Sequence, residues 1–170
     1  MKRLLLTAVL GLLTATSATA QTVVLVRHAE KVDASADPLL SEAGVSRAQA
    51  LAVALSDARP AIILTSTLQR TRLTAQPTAT AFGIRLETIG LEGGAPAHVE
   101  AIAARVRAQT PEAVVLVVGH SNTIPLIARA LGFAAAADMP DCEYDRLTVL
   151  DLNGEQTKAV VGRYGAASGC

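Results

Sequence analysis

Two unbroken apolar runs, each followed closely by a histidine, constrain the fold of this chain most. Residues 22–26 lead directly into Arg27 and His28, and residues 113–118 are followed by His120 after one glycine. A strand of a parallel sheet is buried on both faces, so it is apolar throughout instead of alternating. Ligands of open α/β sheets bind at the carboxyl ends of the strands. We therefore expect both histidines at one functional edge of a sheet.

A third apolar run, residues 61–65, points to the same edge. Residues 66–75 that follow it have the composition of a helix leaving a strand, with Arg70 near the helix N-terminus. A cation at this end of a helix opposes the helix dipole, so its placement needs another reason. An anion bound at the sheet edge would supply that reason.

Helical and strand patterns alternate along the chain. Ser41 is a candidate N-cap for the first helix, and Pro77 is expected to kink or divide the second, which ends at Gly83. Such alternation predicts an α/β domain, a three-layer α/β/α sandwich whose central sheet is mostly parallel. The expected elements are a strand at 22–26, a helix at 42–57, a strand at 61–65, a helix from 66 toward 82, a strand at 84–89, a loop at 90–95, a helix with its apolar repeat at 99–106, a strand at 113–118 and a helix ending at Gly132.

The C-terminal part of the sequence predicts a hairpin that carries the two cysteines. An Asn-Gly pair at 153–154, a strong signal for a type I′ turn, joins the runs 144–152 and 159–164. Cys142 precedes the first run and Cys170 follows the second, so both would emerge at the open end of the hairpin. In an exported protein such a pair favours a disulfide, whereas in the cytosol two free thiols are expected.

The first twenty residues are expected to be a signal peptide and not part of the fold. A basic start at residues 2–3 precedes an apolar stretch at 4–13, and residues 18–20 have the small-x-small pattern of a cleavage site before Gln21. The stretch is shorter than the roughly 20 residues of a membrane-spanning helix. We expect a mature single domain, residues 21–170, that is periplasmic or secreted without stable membrane insertion. An uncleaved anchor is the alternative.

The charge balance argues against a nucleic-acid partner. The chain has 15 Lys and Arg residues against 15 Asp and Glu residues, and without the first twenty residues the balance is 13 to 15, a net charge of −2. Such a chain has no bulk attraction for a phosphate backbone. The sequence also lacks a glycine fingerprint after the first strand and a Walker lysine, so neither a dinucleotide site nor a P-loop is expected.

Three short motifs carry a resemblance to a known family. Residues 27–31 are Arg-His-Ala-Glu-Lys, residues 66–75 contain Arg70, and residues 119–122 are Gly-His-Ser-Asn. In this order and spacing they resemble the histidine phosphatase superfamily, in its phosphoglycerate mutase-like first branch. More closely, the chain looks like the small exported members of that branch at residues 27–31, at residues 38–44, which are Pro-Leu-Leu-Ser-Glu-Ala-Gly, and at residues 119–125. The resemblance covers nearly the whole mature chain.

The resemblance implies a phosphomonoester hydrolase in which His28 attacks phosphorus and becomes transiently phosphorylated. The residue chemistry agrees, because neutral imidazole is a competent nucleophile near neutral pH. Arg27 and Arg70 have planar forks that bind phosphate oxygens bidentately, and His120 can donate a further hydrogen bond. This set requires no metal and no other cofactor. The alternative is a catalytically weak module of the same fold that binds a phosphate or sugar phosphate.

Secondary positions of the site have more than one interpretation. Ser66 and Asn122 could each cap a helix or contact the phosphate. Many members of the family supply a carboxylate after the third strand to protonate the leaving oxygen, and Glu92 is the natural candidate here, with His98 and Glu100 as the others. Without such an acid, turnover would be limited to substrates with good leaving groups.

Three charged neighbours of these motifs are expected outside the catalytic set. Arg72, two positions after Arg70, should point elsewhere on its helix. Glu30 and Lys31 lie beside the site by resemblance, but their charges could serve only to order the loop before Pro38.

We expect the substrate to be a small-molecule phosphate ester. Aromatic residues are only 2% of the chain, so there is no obvious stacking platform for a base. An envelope sugar phosphate or lipid phosphate is the hypothesis that an exported location favours. A mutase is disfavoured because the chain lacks the length for insertions around the pocket. A protein-phosphohistidine phosphatase is disfavoured because export separates it from cytosolic signalling partners.

Overall fold

The computed structural model of the chain describes residues 21–152 and 156–170. The expected signal peptide and the expected Asn-Gly turn both lie outside the described residues. The two strands that flank the turn are described. The described elements, in chain order, are β1 (Gln21–Arg27), α1 (Glu42–Ala54), β2 (Ile62–Ser66), α2 (Gln69–Phe82), β3 (Leu86–Ile89), α3 (Gly94–Arg107), β4 (Val114–Gly119), α4 (Ile124–Ala130), β5 (Arg146–Leu152) and β6 (Thr157–Arg163).

The strands form one mixed sheet in the order β3-β2-β4-β1-β5-β6. Strands β1, β4, β2 and β3 pair in parallel, whereas β5 runs antiparallel to both β1 and β6. The predicted parallel sheet with a C-terminal hairpin is therefore confirmed. Arg27 at the end of β1 lies opposite Gly119 at the end of β4, so His28 and His120 both follow adjacent strand ends.

Each face of the sheet is covered by two helices, which confirms the three predicted layers. Val23 and Leu25 of β1 belong to the core that packs on α3 and α4, where Ile127 is fully buried. Val24 and Val26 belong to the opposite core, which packs on α1 and α2. Successive residues of a strand point to opposite faces, so the central positions of a strand between two helical layers are apolar on both faces.

Helix α1 begins where the sequence predicts. Ser41 is its N-cap, and the Ser41 side chain accepts a hydrogen bond from the backbone N–H of Gly44. Gly44 also permits a close approach, because a Cβ at this position would lie 2.2 Å from the backbone oxygen of Glu30. The loop after β1 therefore packs directly on the first turn of α1.

Two helices differ from their predicted form. Pro77 lies inside α2, so of its two predicted effects the division of the helix is wrong, whereas the kink stays a prediction. Ala75 and Ala79, on either side of Pro77, are both buried against the sheet, and this packing outweighs the missing hydrogen bond of proline. Helix α3 begins at Gly94, so the end of the loop predicted at 90–95 is also wrong. Its first turn is largely exposed and therefore lacks the apolar period that identifies a helix.

The predicted disulfide is confirmed, since Cys142 and Cys170 are bonded with their Cα atoms 5.4 Å apart.

In the described part of the chain, no helix combines the length and the apolar character needed to cross a membrane.

Candidate active site

A pocket of about 320 Å³ opens at the carboxyl ends of β1, β2 and β4. It brings together His28, His120, Arg27 and Arg70, which the sequence analysis places at one edge. The imidazole centroids of the two histidines are 5.4 Å apart. The apolar strands thus deliver four polar side chains to a single cavity.

The environment of His28 selects one tautomer of its ring. The backbone N–H of His28 donates to the carbonyl of Gly119 at 2.9 Å, which fixes the main chain beside β4. Ring atom Nδ1 lies 2.8 Å from the carbonyl oxygen of Ala29, so Nδ1 carries the proton and donates it there. Burial lowers the pKa of His28 to about 3, with the charges of Arg27 and Arg70 acting in the same direction. At neutral pH the ring is uncharged and Nε2 keeps a lone pair, as a nucleophile requires.

His120 is oriented by a buried serine. Its Nε2 lies 2.9 Å from Oγ of Ser66, a residue with no exposed surface, and its Nδ1 is buried without a partner among the described residues. Burial lowers the pKa of His120 to about 4, and the Arg70 charge adds to the effect. Ser66 Oγ also accepts from the N–H of Leu68, the N-cap of α2. Ser66 therefore contacts the start of α2, which agrees with the first of its two predicted roles. It also orients the ring of His120.

Both arginines are held by backbone carbonyl groups at one end of the guanidinium. Nη1 of Arg27 donates to three carbonyls of residues 140–143, and the whole residue is only 4% exposed. Nη1 of Arg70 donates to the carbonyl of Ala36 at 3.1 Å and lies 3.9 Å from a carboxylate oxygen of Asp37. Each arginine is thus fixed on one side while its Nε remains buried and unpaired.

These unpaired nitrogens indicate an anion site. In the described residues, the buried side-chain nitrogens without a partner are Arg27 Nε, Arg70 Nε and His120 Nδ1, and all three residues line the same pocket. Buried donors are paired in nearly all proteins, so three unpaired nitrogens on residues that line one pocket indicate an absent acceptor. Lys31 adds a further positive charge at the pocket wall. A phosphate group supplies oxygens for all of these donors.

The three candidates for the general acid lie away from the pocket lining. Glu92 is exposed, and its carboxylate folds back over Gly90, where a Cβ would lie 1.9 Å from Oε2. His98 is 1% exposed, and its Nδ1 lies 2.8 Å from the carbonyl of Gly90. Glu100 is exposed on α3. The predicted acid role of each therefore stays a prediction without support from the geometry.

A carboxylate that the sequence analysis did not consider does line the pocket. Asp141 is 95% exposed at its side chain, lies 3.8 Å from Nη2 of Arg27, and accepts a hydrogen bond from Ser121 Oγ at 3.2 Å. Asn122 lines the same pocket, while Thr123 is the N-cap of α4, so the structure places Asn122 at the cavity and not at the cap. No sequence pattern marks Asp141, because it follows α4 in an irregular segment.

Glu30, the acidic residue of the first motif, has a structural partner that the sequence pattern does not indicate. The carboxylate of Glu30 receives bonds from Nε and Nη2 of Arg47, a buried residue of α1, at 2.6 to 3.0 Å. Thr74 of α2 accepts from the N–H of Ala29 at 2.9 Å. The loop that carries His28 is therefore anchored on both α1 and α2. In the described residues, no cluster of three or more His, Cys, Asp or Glu side chains could hold a metal ion.

The buried neutral histidines predict a loss of stability in acid. A folded pKa below the unfolded value of about 6.5 means that the unfolded chain binds more protons, so stability is full above pH 6.5 and falls as the pH drops toward 3 for His28 and 4 for His120. Urea unfolding in phosphate-free buffer should give a lower free energy of unfolding at pH 5.0 than at pH 7.5. The variant His28→Asn should lose about 1 to 2 kcal/mol less over this range. An identical pH dependence in wild type and variant would contradict the assignment.

Comparison with known proteins agrees with this geometry. Residues 23–90, from β1 to the end of β3, match the sequence model of the histidine phosphatase superfamily (branch 1). The structure of the protein assigned as the phosphohistidine phosphatase SixA from Agrobacterium tumefaciens is 29% identical, with a TM-score of 0.64, and the match covers 85% of this chain and 97% of that one. The SixA assigned in Nakamurella multipartitia is also 29% identical, with a TM-score of 0.59 and coverage of 87% and 96%.

A more distant structure shares the fold. The mycobacterial glucosyl-3-phosphoglycerate phosphatase in complex with VO3 is 19% identical, with a TM-score of 0.63 and coverage of 86% of this chain and 99% of that chain. A search of curated protein sequences gives no match.

Proposed function

We propose that this chain is a phosphomonoester hydrolase of the histidine phosphatase superfamily (branch 1), whose sequence model residues 23–90 match, with His28 as its nucleophile. The observation that carries the proposal is the set of three buried, unpaired nitrogens of Arg27, Arg70 and His120 around an uncharged imidazole. Phosphoryl transfer requires mainly the positioning of the phosphoryl group and stabilisation of its oxygens. The two guanidinium groups supply positive charge for this purpose without a metal ion.

In the first step, the Nε2 lone pair of His28 attacks phosphorus as the bond from phosphorus to the leaving oxygen breaks. The proton stays on Nδ1, and its hydrogen bond to the carbonyl of Ala29 stabilises the positive charge that develops on the ring. Arg27, Arg70 and His120 donate hydrogen bonds to the non-bridging oxygens. The leaving oxygen departs as an alcohol if it receives a proton.

In the second step, water attacks the phosphorus of phosphohistidine and the P–N bond breaks. His28 recovers its lone pair and inorganic phosphate leaves. Splitting one displacement into two in this way is the advantage of a covalent intermediate. The same donors serve both steps, because the phosphoryl oxygens stay in the same place.

A panel of phosphate compounds tests this proposal. The purified protein should release inorganic phosphate from both p-nitrophenyl phosphate and an alkyl ester such as glycerol phosphate. The rival function, a weak phosphate-binding module, predicts binding of phosphate without release from either ester. Release from neither ester by a protein that binds phosphate would contradict the hydrolase.

The same two esters locate the general acid. Asp141 lines the pocket, so Asp141→Asn should slow the alkyl ester by about 10² to 10⁴-fold and the aryl ester far less, because nitrophenolate leaves without a proton. Glu92→Gln is the matched control and should change neither rate, since its carboxylate folds over Gly90. A selective loss in Glu92→Gln alone would return the role to Glu92. Equal losses on both esters in Asp141→Asn would indicate positioning of Arg27 in place of proton transfer.

A phosphohistidine phosphatase is a second candidate function. Two of the similar structures carry that assignment, and the carboxylate of Glu92, which follows β3, folds over Gly90 and is not among the groups that line the pocket. A substrate with a P–N bond has a leaving imidazole that needs less help from an acid than an alkoxide does. Hydrolysis of a phosphohistidine peptide at a kcat/KM well above that of both esters would favour this candidate.

Export to the periplasm or outside the cell remains part of the proposal. The sequence of residues 1–20 has the features of a signal peptide, and the Cys142–Cys170 bridge is of a type that persists in oxidising compartments. An envelope sugar or lipid phosphate would then be the accessible substrate class. The panel should therefore include a hexose phosphate and a lysophosphatidic acid.

A further inference from the structure

The carbonyl groups that hold Arg27 belong to a segment without regular secondary structure. We call residues 140–145, between α4 and β5, the Arg27 loop. Three of its backbone carbonyls accept from Nη1 of Arg27 at 3.1, 2.8 and 3.1 Å. The guanidinium carbon also lies 4.1 Å from the centre of the Tyr144 ring. This loop therefore sets the direction in which the other N–H groups of Arg27 point.

The last seven residues of the chain fasten this loop. In this C-terminal segment, residues 164–170, Cys170 is bonded to Cys142 of the loop. Oγ of Ser168 accepts from two consecutive N–H groups of the loop at 2.8 and 3.0 Å. The buried carboxylate of Asp145 in turn accepts from Oγ and from the backbone N–H of Ser168 at 2.9 and 3.2 Å. One covalent bond and five hydrogen bonds join the two segments, because the N–H of Tyr164 also donates to the carbonyl of Asp145 at 2.9 Å.

The same C-terminal segment is anchored on the other side of the active-site motif. Nη1 of Arg47 donates to the carbonyls of Tyr164 and Ala166 at 3.0 and 2.9 Å. The remaining donors of Arg47 bind the carboxylate of Glu30, three residues after Arg27. The C-terminal segment is therefore connected to the Arg27 loop at one end and to the loop after β1 at the other.

Burial does little to hold the first part of the Arg27 loop. Pro140, Asp141 and Cys142 are all exposed, although two of the three carbonyls that bind Arg27 belong to them. Cys170 is exposed as well, so a reductant in solvent can reach the bridge. The disulfide is the covalent tether of this part of the loop, and its loss would free exposed residues that few apolar contacts restrain.

We propose that Cys142, Cys170 and Ser168 are positioning residues for Arg27, so that reduction of the bridge weakens phosphate binding. This inference rests on the proposed function, because it assigns Arg27 to the phosphate. Reduction by a dithiol transfers two electrons and two protons to the bridge: the S–S bond breaks, two thiols form, and the dithiol becomes a disulfide. Arg27 itself is chemically unchanged, whereas the loop residues whose carbonyls orient it, Asp141 among them, become free to move.

Titration calorimetry with inorganic phosphate measures the effect directly. The full-length oxidised protein, the same protein reduced with dithiothreitol, and the variant Cys170→Ser should be compared. Loss of one oriented charge-assisted contact should weaken phosphate affinity about tenfold or more in both bridge-free forms. The kcat/KM for p-nitrophenyl phosphate should fall in parallel. Ser168→Ala, which keeps the bridge, should give a smaller loss in the same direction.

Two controls separate positioning from general destabilisation. In an Arg27→Ala background, removal of the bridge should cause no further loss of kcat/KM, because two changes that act through one side chain are not additive. Val106→Ala removes a fully buried side chain of α3 that packs in the core on the α3 and α4 face. It should lower the thermal midpoint but keep the wild-type affinity for phosphate.

Unchanged phosphate affinity and kcat/KM after reduction would overturn the inference. A loss of equal size in the Arg27→Ala background would also overturn it, since the bridge would then act without Arg27. If the oxidised wild-type protein neither binds phosphate nor hydrolyses the esters, the proposed function fails and this inference fails with it.

Discussion

Replacement of His28 by alanine is expected to lower turnover by about a thousandfold or more, because the alanine variant has no atom that can accept the phosphoryl group. The geometry makes this residue the clearest candidate for the nucleophile. Its Nδ1 donates to the Ala29 carbonyl, so the reactive lone pair belongs to Nε2, and its depressed pKa keeps the ring neutral at the pH of the assay. The wild-type protein should therefore accumulate phosphohistidine on a substrate whose leaving group departs quickly.

The prediction that His28 is the nucleophile is checked by measuring acid-labile, alkali-stable phosphate and locating it on a single peptide. Rapid quench after mixing with p-nitrophenyl phosphate should give up to one phosphate per chain, mapped to the peptide that contains His28. The chain has three histidines, and His98 is buried outside the pocket lining, so His98→Gln should retain phosphorylation at His28. Near wild-type turnover in His28→Ala, or phosphate on His120, would contradict the assignment.

Much of the site follows from the sequence because its residues sit at strand ends. Residues 23–26 and 113–118 are apolar at every position, as a sheet covered on both faces requires. Parallel strands have their carboxyl ends at one edge, so the approach of His28 to His120 could be predicted before any coordinates. The position of Arg70 could be predicted in the same way, because this residue lies in the first turn of the helix after β2.

The rest of the site depends on segments whose position no periodic pattern encodes. Asp141 lines the pocket and Tyr144 packs on Arg27 from one irregular loop, which the disulfide and the C-terminal segment hold. Glu92 shows the opposite case. It follows a strand end, as a catalytic carboxylate would, but Gly90 leaves space for its side chain to turn back on its own loop. Proximity in sequence to a strand end thus gives the neighbourhood of a side chain but not its direction.

Arg70 is the residue for which the sequence and the structure give the same physical argument. A cation in the first turn of α2 opposes the helix dipole, and Asp37 offsets part of that cost by accepting from the N–H of Gln69 at 2.7 Å. The Nε of Arg70 nevertheless remains buried without a partner. A phosphoryl group would pair with this donor and with the positive charge, most strongly when negative charge develops on its oxygens.

Arg70→Ala is therefore expected to lower kcat/KM for p-nitrophenyl phosphate by at least about a hundredfold, which corresponds to nearly 3 kcal/mol of transition-state stabilisation. Arg72→Ala is the matched control, since it removes the same charge from an exposed position of α2 that lines a different cavity. Its kcat/KM should stay within about twofold of wild type, because exposed charges outside the site are screened by solvent and salt. Steady-state kinetics of both variants at one ionic strength decide the matter. Equal losses in the two variants would mean that the rate follows the overall charge of the helix, and Arg70 would then have no direct contact with the phosphate.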